Sequence, residues 1–413
     1  MGRTSDRPNS RAYRKTHPWL TFQLDLKKAD PKLWIALGEA QSKCAHLAGI
    51  PLKPRYDDEM HRIYLAKGIL ASAAIEGNTL SEKEVQDRLE GKKELPPSRE
   101  YLGNEIDNII EACNEILNDI KEGKEQKLTP RLVKNFNKTI LKGLELNEGV
   151  TPGEYTHHPI GVGRYRGAPP EDCEFLVERF CEWLNGPDFQ ARDGYEIIHG
   201  LIKAVVAHLY LVWIHPFGDG NGRTARLLEV KFLLEAGVPS VATHLLSNHY
   251  NQTRMEYYRQ LDRASGSGGD IIPFIGYAIQ GFVDELRAQI NFVKIQQWEI
   301  SWTNYTHETL SGKSTTEARR RKLVEALSRQ EEPVSKGDIR KLSPELAEEY
   351  KGKTTKTITR DLNYLHEKDL IARTAKGYRA KKEIILAFLP TRKQENTQEN
   401  SEAQQPLPLE DND

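Results

Sequence analysis

Between residues 193 and 212, Ile197, Leu201, Val205, Leu209 and Val212 recur every three or four positions, so a helix there gathers them into one continuous apolar stripe. A stripe of that length has to be buried against other elements. Close behind it come His215 and Pro216. Proline lacks a backbone N–H and restricts the residue before it, so the helix must stop there. The chain is therefore committed to holding a polar, glycine-rich segment, HPFGDGNGRTAR over 215–226, at the end of a core helix.

The same spacing predicts helices over 31–48, 57–74, 81–90, 100–121, 129–141, 171–183, 222–235, 252–264 and 272–298. Gly237 and Pro239 punctuate the end of the 222–235 helix. Strand signals are scarce. The stretch 149–170 is rich in Gly, Pro, Tyr and His, alternates Ile160, Val162 and Tyr165, and predicts a short hairpin. Residues 303–314 read as a polar linker, after which the composition shifts: 314–390 carries 18 Lys and Arg against 12 Asp and Glu. Helices are expected there over 315–328, 335–342 and 356–368, then two short strands, 370–372 and 383–388, around Lys376-Gly377. That order is a winged-helix pattern. The polar stretch 391–413 is expected to be disordered.

Bulk properties narrow the partners. A net charge of −1 gives the whole molecule no electrostatic claim on nucleic acid or membrane, so any such partner must be carried by a local patch. Cys44, Cys113, Cys173 and Cys181 show no CxxC spacing, which argues against a disulfide framework or structural zinc and fits a reducing cytoplasm. The basic N-terminus is followed by no apolar run, and the longest such run, 209–214, is too short to span a bilayer, so no secretion signal or membrane partner is expected. Asp6 stands where a myristoylation signal needs Ser or Thr.

Residues 215–226 hold a concentrated set of chemical groups. Neutral imidazole at His215 can take a proton from a hydroxyl. Asp219 offers a hard oxygen to magnesium, which is commonly held by one or two carboxylates plus phosphate oxygens. Gly220 and Gly222 flank Asn221 where amides at a helix start converge on an anion. Arg223 and Arg226 lie three apart on the first turn, which predicts two guanidinium groups on one side, matched to phosphate. Taken singly, each residue reads as turn or surface chemistry; twelve consecutive positions carrying all of them read as one site.

The segment matches the signature HPFx(D/E)GNGRxxR at every specified position, and on those residues the chain resembles the Fic (Fido) family, over a core of about 57–285. The resemblance implies a protein adenylyltransferase that moves AMP from ATP to Ser, Thr or Tyr hydroxyls of a target protein. His215 would be the catalytic base and Asp219 the ligand of Mg2+ (or Mn2+). Gly220, Asn221, Gly222, Arg223, Thr224, Ala225 and Arg226 would bind the nucleotide, Arg226 reaching its γ end. The predicted hairpin corresponds to the family's flap, with Val162, Gly163, Arg164 and Tyr165 nearest substrate, and it would pair with an extended target segment. Tyr257 and Tyr258 resemble the tyrosines beside the adenine. Ser265 departs from the pattern, standing where some relatives have an adenine-contacting Asn.

Residues 72–77 read SAAIEG, which fits the inhibitory motif (S/T)xxxE(G/N) of the subclass with an N-terminal inhibitory helix, through Ser72, Glu76 and Gly77. A carboxylate at Glu76 paired with Arg226 would take the γ-phosphate's partner and set negative charge where the triphosphate must go. In some relatives the same Glu helps water remove AMP.

The expected fold class is mainly α: a Fic-type helical core with a short β-hairpin flap, plus a C-terminal winged-helix-like α+β domain. The expected division is a flexible basic arm (1–20), a helical region with the inhibitory helix (21–148), the catalytic core with flap (149–300), a linker (301–313), the winged-helix-like domain (314–390) and a disordered tail (391–413). Two other functions compete. One is a DNA-binding regulator using Thr355, Lys356, Thr359, Arg360 and Asn363, with Ile358, Leu362 and Leu365 facing the core. The other is a Fic enzyme transferring a different phosphate-containing group. Self-modification and a homodimer are compatible with either enzyme.

Overall fold

In the computed structural model the apolar stripe lies in a helix, Glu196–Ile214, that is buried on nearly every side, with Leu201, Val205 and Leu209 fully enclosed. Val212 is only partly covered because it borders a cavity. This is the one helix among the described residues long and apolar enough to cross a membrane, and its residues are spent on the protein core instead. The structure describes residues 11–50, 54–92, 95–124, 127–163 and 165–385, with 54–64 and Val162 described by backbone alone. The expected tail 391–413 and the first ten residues lie outside them.

The chain divides into two compact units, 1–291 and 292–413. The first is helical: α1 Tyr13–Thr16, α2 Pro31–Ala48, α3 Pro54–Ile75, α4 Glu82–Leu89, α5 Glu100–Lys121, α6 Pro130–Ile140, α7 Pro170–Leu184, α8 Glu196–Ile214, α9 Asn221–Glu235, α10 Leu245–Gln252 and α11 Arg254–Gly266, with α12 Ile272–Thr309 beginning in this unit. Among the described residues its one sheet is the predicted hairpin, β1 Gly161–Val162 antiparallel to β2 Tyr165–Arg166. The pair α8 and α9 forms the centre, covered by α2, α3, α5, α6 and α7. Gly200 lets the two central helices close up, since a Cβ there would run into Ala236. Local signals set several boundaries: Ser81 and Glu84 close a capping box on α4, and the side chain of Thr129 caps α6.

Residues 11–20, expected as part of a flexible arm, are pinned. The Tyr13 amide donates to Asp172 (2.7 Å), Arg11 pairs with the same carboxylate and lies over Phe175, and His17 Nε2 donates to the Arg166 carbonyl (2.8 Å). Tyr13, His17 and Leu20 are buried, which supplies the apolar contact that charge composition concealed. The expected helix over 252–264 is preceded by a separate helix, α10, and α12 runs helically through 301–309, where a linker was expected.

The second unit contains α13 Thr315–Ser328, α14 Pro344–Glu349, α15 Thr355–Glu367 and the hairpin β3 Ile371–Thr374 with β4 Gly377–Ala380. Its core joins Trp302 and Leu310 to Leu323, Leu346, Ile358 and Leu362. Two expectations are corrected. The helix over 335–342 is only a 3₁₀ turn, Ile339–Lys341, with α14 after it, because Pro344 is a poor continuation and a good first-turn residue. The strand paired with β3 is Gly377–Ala380, because Ala375-Lys376 turns tightly enough for pairing to begin at once; of the expected strand 383–388, 383–385 lies in a 3₁₀ turn and 386–388 lies outside the described residues.

Candidate active site

His215 ends α8 in the left-handed region (φ 51°, ψ 54°), its N–H still bonded to the Leu211 carbonyl. That turn throws the imidazole out of the helix into a cavity of about 710 Å³. Its Nδ1 lies 3.2 Å from the Val212 carbonyl, so Nδ1–H donates and Nε2 keeps its lone pair. Burial holds the imidazole below the ordinary histidine range, against the opposing pull of the Val212 carbonyl, Glu76 and Asp219. The ring is neutral near pH 7.

The neighbouring loops fix this turn. The Ala168 amide donates to the Ile214 carbonyl (3.0 Å) and the Thr156 amide to the Pro216 carbonyl (2.9 Å), beside a bridge between Tyr155 and Phe217. Tyr165 Oη donates to the Trp213 carbonyl at 2.6 Å and borders the cavity with Gly161 and Gly163. The hairpin therefore stands over the imidazole. Arg164 lies outside the described residues, as does the side chain of Val162.

The floor is the start of α9. Gly220 caps it with φ 77°, a conformation costly for other residues, and a Cβ there would press on Asn137. Asn137, which sequence reasoning missed, donates to the Asp219 carbonyl (2.9 Å) and accepts from the Gly153 amide (2.9 Å). The Asn221 side chain spends both ends on Phe217, accepting from its amide (3.0 Å) and donating to its carbonyl (2.8 Å). The side chain of Asn221 thus braces the loop. Thr224 and Ala225 are buried, Thr224 Oγ1 donating to the Gly220 carbonyl.

The two arginines take different partners. Arg223 reaches Glu105 on α5 (2.5 Å) and Asp219 (2.9 Å). Arg226 turns toward α3, where Nε donates to Ser72 Oγ (2.9 Å) and Nη2 to the Ser72 carbonyl (2.9 Å) and Glu76 Oε1 (2.7 Å). Glu105 on α5 and Glu76, just past the end of α3, thus take different guanidiniums. Nη1 of Arg226 is buried without a hydrogen-bond partner among the described residues.

Glu76 sits on the cavity wall just past the end of α3, where Gly77 takes φ 107°. Burial works against its charge, but Arg226, Arg223 and His215 outweigh it and hold the carboxyl below its usual range. Gly222 leaves the room that Glu76 fills: a Cβ there would collide with Oε1. Arg254, also unforeseen, ties the end of α3 by donating to the Ile75 carbonyl (2.5 Å). Tyr257 and Tyr258 both border the cavity, Tyr257 buried and Tyr258 40% exposed. Behind Tyr257, His208 Nε2 meets its hydroxyl at 2.8 Å, and Tyr250, whose hydroxyl donates to Glu229, lies against its ring (centroids 4.8 Å apart). Ser265 turns its hydroxyl back onto the Asp262 carbonyl.

Residues 127–233, which span the hairpin, α8 and the 215–226 loop, match the Fic/DOC family. The curated protein "Protein adenylyltransferase Fic" of Nematostella vectensis is 33% identical over 219 residues, 51% of this chain and 45% of that protein. "Protein adenylyltransferase fic-1" of Caenorhabditis briggsae is 26% identical over 66% of this chain and 49% of that protein. The chain thus spans about half the length, or less, of the curated relatives it matches. Among solved structures, a Fic family protein from Desulfovibrio desulfuricans G20 superposes with a TM-score of 0.53 at 20% identity, covering 85% of this chain and 96% of that one. Fic-1 (aa134 - 508) from C. elegans gives 0.51 at 23% identity, covering 63% and 72%. These likenesses establish the Fic fold. Ser72–Gly77 lies outside the matched segment, so Arg226 within that segment is met by residues at the end of α3, which precedes it.

Proposed function

We propose that this chain transfers AMP from ATP to a Ser, Thr or Tyr hydroxyl of a protein, and that Glu76 restrains it. The observation that carries the reading is the free Nε2 of His215, held by the Nδ1 bond to Val212 in a cavity floored by the start of α9 and overhung by the hairpin. In the reaction the target hydroxyl oxygen attacks the α-phosphorus in line. The bond to the bridging α–β oxygen breaks, its electron pair leaves with diphosphate, and the hydroxyl proton passes to Nε2. Such a transfer needs mainly positioning and charge stabilisation, which the amides of Asn221 and Gly222 and the α9 dipole supply.

Asp219 fits a divalent cation. It is a partly exposed carboxylate on the cavity wall, and both its hydrogen bonds, from Gly220 N–H and Arg223, fall on Oδ1. Among the described residues no group of three His, Cys, Asp or Glu side chains could hold a metal, so phosphate oxygens would complete the shell. Mg2+ or Mn2+ there would neutralise phosphate charge.

Glu76 acts as the brake in this reading. While it occupies Arg226 and the space over Gly222, a γ-phosphate meets negative charge in place of a donor. Its position near His215 also suits helping water to release AMP from a modified target. The second unit reads as a winged helix, with α15 in the place of a recognition helix.

The test is intact-mass and peptide mass spectrometry of lysate treated with ATP and Glu76→Gly protein, with wild type and His215→Ala beside it. Added AMP with Glu76→Gly, little with wild type and none with His215→Ala is the expected result. A different added mass would overturn the transferred group, and labelling that survives His215→Ala would overturn the base.

A further inference from the structure

The hairpin of the second unit is held by a third extended segment. Val334 and Tyr378 exchange both backbone hydrogen bonds (2.8 and 2.9 Å), so the loop after α13 adds a bridge to the edge of β4. Gly377 makes that approach possible, because a Cβ there would run into the Val334 backbone. Beneath it α15 is locked in orientation. Asp361, 1% exposed, accepts from Arg319 (2.9 Å) and Arg320 (2.9 Å) on α13 and from Tyr350 (3.1 Å), while Arg320 also lies 3.7 Å over the Tyr364 ring. Ile358, Leu362 and Leu365 complete the buried face.

The opposite face of α15 is thereby presented to solvent. It carries Thr355, Lys356, Arg360 and Asn363, all exposed, with Thr359 half-buried between them. Lys353 precedes the helix, and Arg373 and Lys376 stand exposed on the hairpin. Residues 351–381 hold nine Lys and Arg against three Asp and Glu. Of those three, Asp361 is buried in its ion pairs and Asp369 is paired with Lys381. Among the described residues none of Lys353, Lys356, Arg360, Arg373 and Lys376 forms a salt bridge. A rigid helix with unpaired cations, an amide and hydroxyls on one face, beside a basic hairpin, combines phosphate contacts with groups able to read base edges.

The geometry points to double-stranded DNA as the partner of this unit, with the α15 face in the major groove and the β3–β4 tip on the adjoining backbone. The inference rests on the winged-helix reading of the second unit and is independent of the transferase reading. Five cations neutralising phosphates give a salt slope near −4.5, so affinity falls on the order of several hundred-fold between 50 and 200 mM salt.

The experiment is fluorescence anisotropy of the full chain with a labelled duplex of mixed sequence, without ATP, at both salts. Wild type is expected to bind at 50 mM salt with that steep dependence. Lys356→Glu/Arg360→Glu should lose at least about tenfold, and Arg373→Ala/Lys376→Ala should weaken binding and flatten the slope by about 2. All four positions are exposed, and circular dichroism checks that the variants stay folded. No binding at 50 mM salt, or unchanged binding by the α15 variant, would overturn the proposal. Equal affinity for single strands or heparin would do so too, by reducing the patch to a general polyanion surface.

Discussion

Arg226 Nη2 lies 2.7 Å from Glu76 Oε1, a pair joined across 150 residues of sequence, and the same guanidinium is steadied from below by Ser72 through Nε and Nη2. Ser72 thus aims Arg226 at Glu76. A hydrogen bond to a charged group is worth about 1.5–3 kcal/mol, so Ser72→Ala should loosen the pair without removing the carboxylate. Labelling by Ser72→Ala is expected to exceed wild type at least threefold and stay below Glu76→Gly, read with labelled ATP. A value equal to wild type would mean that the brake does not depend on the orientation of Arg226.

The pH profile follows from His215. Its imidazole must be neutral to accept a proton, and burial holds its pKa below the ordinary 6.5. The protonated fraction therefore grows only at pH values under that figure. Initial rates of Glu76→Gly should be flat from pH 7 to 8 and fall on an acid limb whose midpoint lies below 6.5. Removing Glu76 also removes one of the groups that raise the pKa, so the limb should not move upward. A midpoint at or above 7 would contradict His215 as the base.

His208 positions Tyr257 without reaching the cavity. It is fully buried, meets the Tyr257 hydroxyl at 2.8 Å, and lies 3.3 Å from Glu229. In His208→Phe that hydroxyl loses its partner and the ring gains freedom at the cavity wall, where the proposed nucleotide would lie. In the Glu76→Gly background this should raise KM for ATP about three- to tenfold while kcat changes less than twofold. An equal fall in kcat with KM unchanged would instead assign His208 to the chemical step.

These contacts mark where the sequence stops being readable. Helix α5, Glu100–Lys121, has the predicted bounds because its apolar spacing and polar ends are local properties. The 215–226 segment was legible for a similar reason, since the helix stop at His215-Pro216 and the glycines act on their own neighbours. The direction of Arg223 was not, because Glu105 lies 118 residues away and only packing of α5 against α9 brings it near. The engagement of the Asn221 amide with Phe217 was not legible either, because it depends on the loop's closed geometry. Helix α10, with the mixed sequence LLSNHYNQ, gave no apolar period to find. The packing of 11–20 was hidden by its basic composition, although it ends on one buried carboxylate, Asp172.

Asp361 is where the second unit is most exposed to a single change. Its carboxylate is 2% exposed and neutralises Arg319, itself 8% exposed, together with Arg320. Removing one partner of a buried ion pair leaves the other charge uncompensated, at a cost of about 3–5 kcal/mol. Asp361→Ala should therefore destabilise the unit by that order, lowering its unfolding midpoint in urea or heat. Asp361→Asn keeps hydrogen-bond acceptance from Arg319 and Tyr350 but loses the charge, and it should lie between Asp361→Ala and wild type. Leu362→Ala, a cavity-forming change at the adjacent core position, should cost about 2–5 kcal/mol by a different route. Salt separates the two: added salt should leave the Leu362→Ala deficit unchanged. For Asp361→Ala it should narrow the deficit as counterions screen the freed arginines. If Asp361→Ala melts with wild type, the ion-pair cluster is not what holds α15 on α13.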